Sequence, residues 1–221
     1  MNISLSQSWR PRDAWFFAGL TLLVSLLFGG AFIALAFAFP PFPEFLRSPF
    51  TQAALSVIGL FLILGVSLVF AKIKSRNDFV SAFDLTRPHE KEILIALAIG
   101  FLIQFVGIFI VSGDFSHLKL AHNFQPWMVA ALLAPFFEEP AMRGFAYKAF
   151  RNSYSIAVSI CFVVAIALVF HFGQTYRSLH GCLVIGALNV ALCVLREKHL
   201  SLWSCIACHF VFNFVYVGIQ H

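Results

Sequence analysis

Charge is what this chain has least of. Of its 221 residues only 11% are charged, and Asp and Glu together number 10. That scarcity excludes an ordinary soluble domain, where about a quarter of residues carry charge. No basic stripe with interleaved aromatics is present, which excludes a nucleic-acid binder. The net charge of +5 sits in connecting segments, where it meets anionic lipid headgroups and sets topology. Cysteine is scarce too: Cys161, Cys182, Cys193, Cys205 and Cys208 are an odd set, all inside apolar runs. They read as free thiols packing as small hydrophobes, not as a disulfide framework. There is no internal repeat, no low-complexity segment and no H-E-x-x-H metalloprotease helix.

What remains is apolar. Hydrophobic residues make up 60% of the chain, with 28 phenylalanines, and a spanning helix needs about 20 apolar residues. The runs 14–39, 52–71, 93–112, 127–150, 155–172, 179–195 and 200–219 meet or approach that length. The expectation is an all-α, polytopic membrane helix bundle of about seven transmembrane helices. Residues 1–81 form an N-terminal hairpin and loop, and residues 82–221 form a second unit with the functional core in the last four spans. The first run is too long for a cleavable signal and reads as a retained anchor. Pro40-Pro41-Phe42-Pro43 reads as a short extended loop after it.

Basic residues cluster on alternate connections. Arg10 and Arg12 precede the first span, and Lys72, Lys74, Arg76, Arg87 and Lys91 lie in the longest connection. Lys148 and Arg151 follow the fourth span, and Arg196 and Lys198 follow the sixth. Arg47, Lys119 and Arg177 fall singly on the other side. The positive-inside rule then makes the N-terminus cytoplasmic and the C-terminus opposite. The compact chain reads as a bacterial inner-membrane protein, with membrane lipids as its general partners.

Between residues 115 and 196 the only carboxylates are Glu138 and Glu139, in an apolar stretch. A charge at the centre of a span costs roughly 2.5–3.5 kcal/mol on insertion scales. Two together, with Arg143 one turn on, mark a buried polar site. Glu139 and Arg143 are spaced i,i+4 with the acid first, the better order for a helical ion pair. Glu138 points about 100° away around the helix. One acid is therefore ion-paired, and the other is available as a general base. The alternative is a purely structural network between helices. Pro135 and Pro140 bracket the pair, and each frees the carbonyl four residues back, those of Ala131 and Phe136. Unpaired backbone at membrane depth survives only in protein or beside a wet cavity.

His171 ends the fifth run, and a lone histidine there is as readily structural as catalytic. His209 and Asn213, again i,i+4, share a face of the last span. They read either as interhelical glue, worth about 0.6 kcal/mol, or as donors aimed at a carbonyl where charge develops. Cys205-Ile-Ala-Cys208-His209 matches the haem-attachment pattern, but it lies mid-span, so haem is not expected. Straight helices would carry His171 roughly 25 Å in from the cytoplasmic side, deeper than Glu138.

Glu138-Glu139-Pro-Ala-Met-Arg143-Gly144, then His171, then His209-Phe-Val-Phe-Asn213 resemble, in that order, the motifs of the CPBP family of intramembrane proteases. This family, also called ABI, includes CAAX-prenyl endopeptidases. Met142 stands where its first motif usually has Phe, and Ala167 stands at the aromatic position before His171. The segment 83–88, Phe-Asp-Leu-Thr-Arg-Pro before a span, is similar to a further family feature. The resemblance implies glutamate-dependent peptide hydrolysis of a membrane-associated or lipidated substrate, without metal or cofactor. In that scheme Glu138 activates a water with help from His171, Glu139 and Arg143 fix the helix and tune the base, and His209 and Asn213 stabilise the oxyanion. Competing readings are a zinc membrane protease, a non-enzymatic immunity or regulatory protein of the same fold, and a proton-coupled transporter. The last lacks paired halves.

Overall fold

The computed structural model describes residues 9–38, 42–75, 83–112, 119–120, 125–176, 178–199 and 201–220. The architecture is an all-α bundle. Its helices are α1 (Pro11–Ala38), α2 (Phe42–Arg47), α3 (Pro49–Ser75), α4 (Glu90–Ser112), α5 (Pro126–Glu139), a π-helical segment (Pro140–Ala146), α6 (Tyr147–Arg151), α7 (Ile156–Phe170), α8 (Phe172–Thr175), α9 (Leu179–His199) and α10 (Leu202–Gly218). The two-residue strands β1 (Lys119–Leu120) and β2 (Ile219–Gln220) pair antiparallel, Lys119 opposite Gln220. The chain is a multi-pass membrane protein. Among the described residues four helices, α1, α3, α4 and α9, are long and apolar enough to cross a bilayer, while α7 and α10 are shorter apolar helices.

Helices dominate because the apolar runs leave backbone groups no partner in lipid except their own. Only 17% of the α1 and α3 spans is buried within the protein. Phe16, Leu26, Leu27, Phe61 and Leu94 are exposed on the outer faces, which is the lipid-facing belt a bundle of this composition requires. Ser155 caps α7 through its hydroxyl, which accepts from the Val158 amide at 3.4 Å, and Ser201 does the same for α10 from Trp203 at 3.3 Å. α10 packs most extensively on α4, α3 on α5, and α9 on α7, α10 and α4. Gly100 makes the α4–α10 approach possible, because a Cβ there would run into the Cys208 carbonyl. Small residues permit such close packing between membrane helices.

Three expectations need correction. Phe42 and Pro43 open α2 instead of continuing a loop, as Pro near a helix start readily does; Pro40 and Pro41 lie outside the described residues. The fourth run is not one helix but an α–π–α sequence broken at Pro140. Proline lacks an N–H and clashes with the carbonyl four residues back, and a wider turn relieves both problems. Lys148 and Arg196 do not reach headgroups. They are buried inside the bundle, both on Asp84, with Lys148 Nζ at 2.8 Å.

One end of the bundle is closed. Phe145 of the π segment is fully buried and meets Trp9 at 4.6 Å, Phe17 at 5.1 Å and Phe70 at 5.2 Å between ring centroids. Around it, Asn152 donates to the Trp9 carbonyl, Tyr147 and Arg151 both bind Glu197, and Ser201 donates to the Thr86 carbonyl. The opposite end carries the β1–β2 pair and the Trp127–Tyr216 contact. The N-terminal segment, residues 83–91 and the far ends of α6 and α9 therefore share the closed end, as alternating spans require.

Candidate active site

The π segment turns the fourth span so that its two glutamates have different surroundings. Glu139, at the last position of α5, has 0% of its side chain exposed. Arg143 Nη1 donates to Glu139 Oε1 at 3.1 Å, as the i,i+4 spacing predicts. His209 Nδ1 lies 2.7 Å from the same oxygen. A carboxylate only accepts, so this nitrogen carries the proton and Nε2 is left to face elsewhere. Arg143 Nη2 donates to Asn189 Oδ1 at 2.5 Å, and Asn189 is anchored through its Nδ2 to the Ile185 carbonyl at 2.8 Å. A carboxylate between an arginine and a histidine is the paired arrangement a buried charge needs.

Glu138 leaves this cluster and is 22% exposed, and its Oε2 lies 4.0 Å from Nε2 of His171, itself 32% exposed. That gap is too long for a direct hydrogen bond and suits a shared water. The depth mismatch expected for His171 does not arise. α7 stops at Phe170, and His171 is its C-cap, its N–H donating to the Ala167 carbonyl at 2.9 Å. The chain then folds back, with Gln174 and Thr175 amides donating to the His171 carbonyl at 2.8 and 3.0 Å. That turn holds the imidazole at the wall of the space Glu138 faces.

Glu138, Arg143, His171, His209 and Asn213 line one cavity of about 750 Å³, while Glu139 sits buried behind its wall. His209 and Asn213 share the expected face, but each also holds another partner. Asn213 Nδ2 donates to the Ala131 carbonyl at 2.7 Å, the group that Pro135 was expected to free. Ser56, Gly59, Leu60 and Ile63 of α3 form another part of the wall, so the N-terminal hairpin contributes to the site. Among the described residues no group of three or more His, Cys, Asp or Glu could hold a metal ion.

The reading of the sequence missed Asn189, although an asparagine in the apolar run 183–195 is the same kind of signal that singled out Asn213. It also missed what holds the π segment. Arg196 Nε donates to the Arg143 carbonyl at 3.4 Å while its Nη2 bonds Asp84. Asp84 takes the left-handed backbone, φ 50°, which Asp tolerates better than most residues. Beside it the Phe83 ring lies against Gly144, where a Cβ would fall 2.6 Å from Phe83 Cδ1. Gly144→Ala is therefore expected to lower stability by about 1–3 kcal/mol, the usual cost of overpacking. Combining it with Phe83→Ala should cost less than the sum of the two single changes, as contacting sites do. Thermal unfolding of the four proteins measures this, and strict additivity would remove the wedge from the account.

Residues 120–215 match the family model described as type II CAAX prenyl endopeptidase, Rce1-like. The matched segment contains all six candidate residues. No curated protein and no solved structure matches the chain.

Proposed function

We propose, from the premise that residues 120–215 match the model of Rce1-like type II CAAX prenyl endopeptidases, that this protein is a glutamate-dependent intramembrane endopeptidase. It hydrolyses a peptide bond of a membrane-associated or lipidated segment. The observation that carries the reading is the unlike pair of glutamates: Glu138 at a cavity wall 4.0 Å from His171, and Glu139 sealed between Arg143 and His209.

In this mechanism a water lies between Glu138 and His171. Glu138 takes its proton as the hydroxide oxygen adds to the substrate carbonyl carbon. The resulting oxyanion accepts a hydrogen bond from the second amide N–H of Asn213, whose other N–H holds the Ala131 carbonyl, while His209, its Nδ1 proton engaged by Glu139, lines the cavity beside it. When the C–N bond breaks, protonated Glu138 returns the proton to the leaving amine. Glu139 and Arg143 do not touch substrate; they neutralise one another and position the helix that carries Glu138. Purified protein should cleave members of a fluorogenic peptide library, and Glu138→Ala should not. Equal cleavage by both would remove the reading.

The chemistry predicts what the last span's thiols do not do. Cys205 and Cys208 are buried, and Cys205 Sγ donates to the Leu192 carbonyl at 3.3 Å while His209 turns to Glu139. The double change Cys205→Ser, Cys208→Ser should leave turnover within a few-fold of wild type, and strong chelators should leave it unchanged. Activity lost with bound zinc on chelation, and restored on its return, would favour the metalloprotease reading instead.

A further inference from the structure

The cavity is skewed toward one end of the helices that form it. From α5 it takes residues 127–138 and then Ala141–Arg143 of the π segment; from α9 it takes 180–192, and from α10 it takes 209–216. α3 contributes only 56–63, near that helix's start, and α7 only Ala167 and Phe170 near its end. All these stretches lie toward the end that carries Trp127, Gln174 and Tyr216, each exposed at the surface and each lining the cavity. Toward the other end the space stops at the level of Arg143 and Leu192. Beyond it come the fully buried Phe145, Phe150 and Leu202 and the Asp84–Lys148–Arg196 ion cluster. Among the described residues the reacting groups are thus reached from that end of the bundle.

That end is the one poor in basic residues. Arg10, Arg12, Arg87, Lys91, Arg151 and Lys198 lie at the closed end, whereas Arg47 and Lys119 lie at the open one. Lysine and arginine accumulate on the cytoplasmic side of short-looped membrane proteins, because translocating them is unfavourable. Cavity direction and charge bias are independent observations, one from packing and one from sequence, and together they fix the side from which a substrate must arrive. We infer that the site is entered from the extracytoplasmic side, so the substrate is a membrane-tethered peptide whose cleavable segment is presented there, not a lipidated tail lying in the cytoplasm. The inference rests on the peptidase reading for its chemistry but not for its geometry. A volume of about 750 Å³ lies in the range of small-ligand sites, enough for a short stretch of chain and not for a folded domain.

Two measurements test access and chemistry separately. In a cysteine-free background expressed in bacteria, Gln174→Cys at the cavity mouth should react with a membrane-impermeant maleimide added to intact cells. Lys91→Cys should react only after permeabilisation. If the background fails to fold, C-terminal fusions to alkaline phosphatase and to green fluorescent protein read the same side, with an active phosphatase and a dark fluorophore expected. Fluorogenic peptides on an acyl anchor should then be cleaved when added outside spheroplasts carrying the wild-type protein, and not by Glu138→Gln or by inverted vesicles. Labelling of Lys91→Cys from outside, or cleavage confined to inverted vesicles, would overturn the inference while leaving the peptidase reading intact. Loss of Glu138-dependent cleavage in spheroplasts, inverted vesicles and detergent alike would overturn the peptidase reading, and the substrate class with it, whatever the labelling shows.

Discussion

Glu138→Gln should abolish peptide cleavage while the protein expresses and unfolds close to wild type. General-base catalysis contributes about 10²–10⁴ in rate, and in the proposed mechanism Glu138 also orients the attacking water, so the loss should lie at the upper end. Stability should hold because Glu138 makes no hydrogen bond among the described contacts, His171 standing 4.0 Å away, and an amide has nearly the carboxylate's shape. His171→Ala should fall less far, because it removes the helper and leaves the base. The test is turnover on a fluorogenic peptide alongside thermal unfolding. Appreciable cleavage by folded Glu138→Gln would move the base elsewhere, and joint loss of fold and activity would make Glu138 structural.

The neighbouring residue should respond in the opposite way. Glu139→Ala removes the acceptor from both Arg143 and His209 and leaves a guanidinium 2% exposed without its carboxylate, beside neutral partners such as Asn189. Deleting one partner of a buried pair costs about 3–5 kcal/mol, much of it the burden of the charge left behind. A large drop in unfolding temperature is expected, with activity falling because the fold does. Glu139→Gln, which keeps an acceptor, should be milder. The double change Glu139→Leu, Arg143→Met should recover most of the stability, because an apolar pair of similar volume removes the stranded charge. Its recovered fold should still be poorly active, since the helix carrying Glu138 is then no longer pinned to Asn189. Unfolding of Glu139→Ala within about 0.5 kcal/mol of wild type, the usual range of a surface change, would contradict this account.

What could be read without coordinates was local. Run length found the helices because lipid leaves the backbone no other partner. The Glu139–Arg143 bond followed from a spacing of four, and Pro135 announced that the Ala131 carbonyl would need a donor. The donor itself, Asn213, is 82 residues away, and nothing in periodicity reports that distance. Asn189 to Arg143 spans 46 positions and Arg196 to Asp84 spans 112. These contacts depend on which helices become neighbours, and pattern alone cannot say so. Lys148 and Arg196 were misread for a related reason: a basic residue at the end of an apolar run looks the same whether it meets a headgroup or a buried aspartate. The π turn was half legible. Pro140 forecast a break, but not that the chain would widen there instead of kinking.

Among the described residues the floor formed by Phe145, Phe150 and the Asp84 cluster makes the candidate chamber blind-ended. If the proposed peptidase chemistry runs here, reactant water, peptide and both cleavage fragments share the mouth at the Trp127 and Tyr216 end. Once a peptide fills that mouth, bulk water can no longer reach the dyad, so the molecule to be consumed has to be lodged between Glu138 and His171 before the peptide docks. Each cycle is then ordered: hydration first, peptide second, and release of both fragments before the next water can load. A chamber of this kind tends toward inhibition by its own products, because a fragment that lingers blocks rehydration as well as the next substrate.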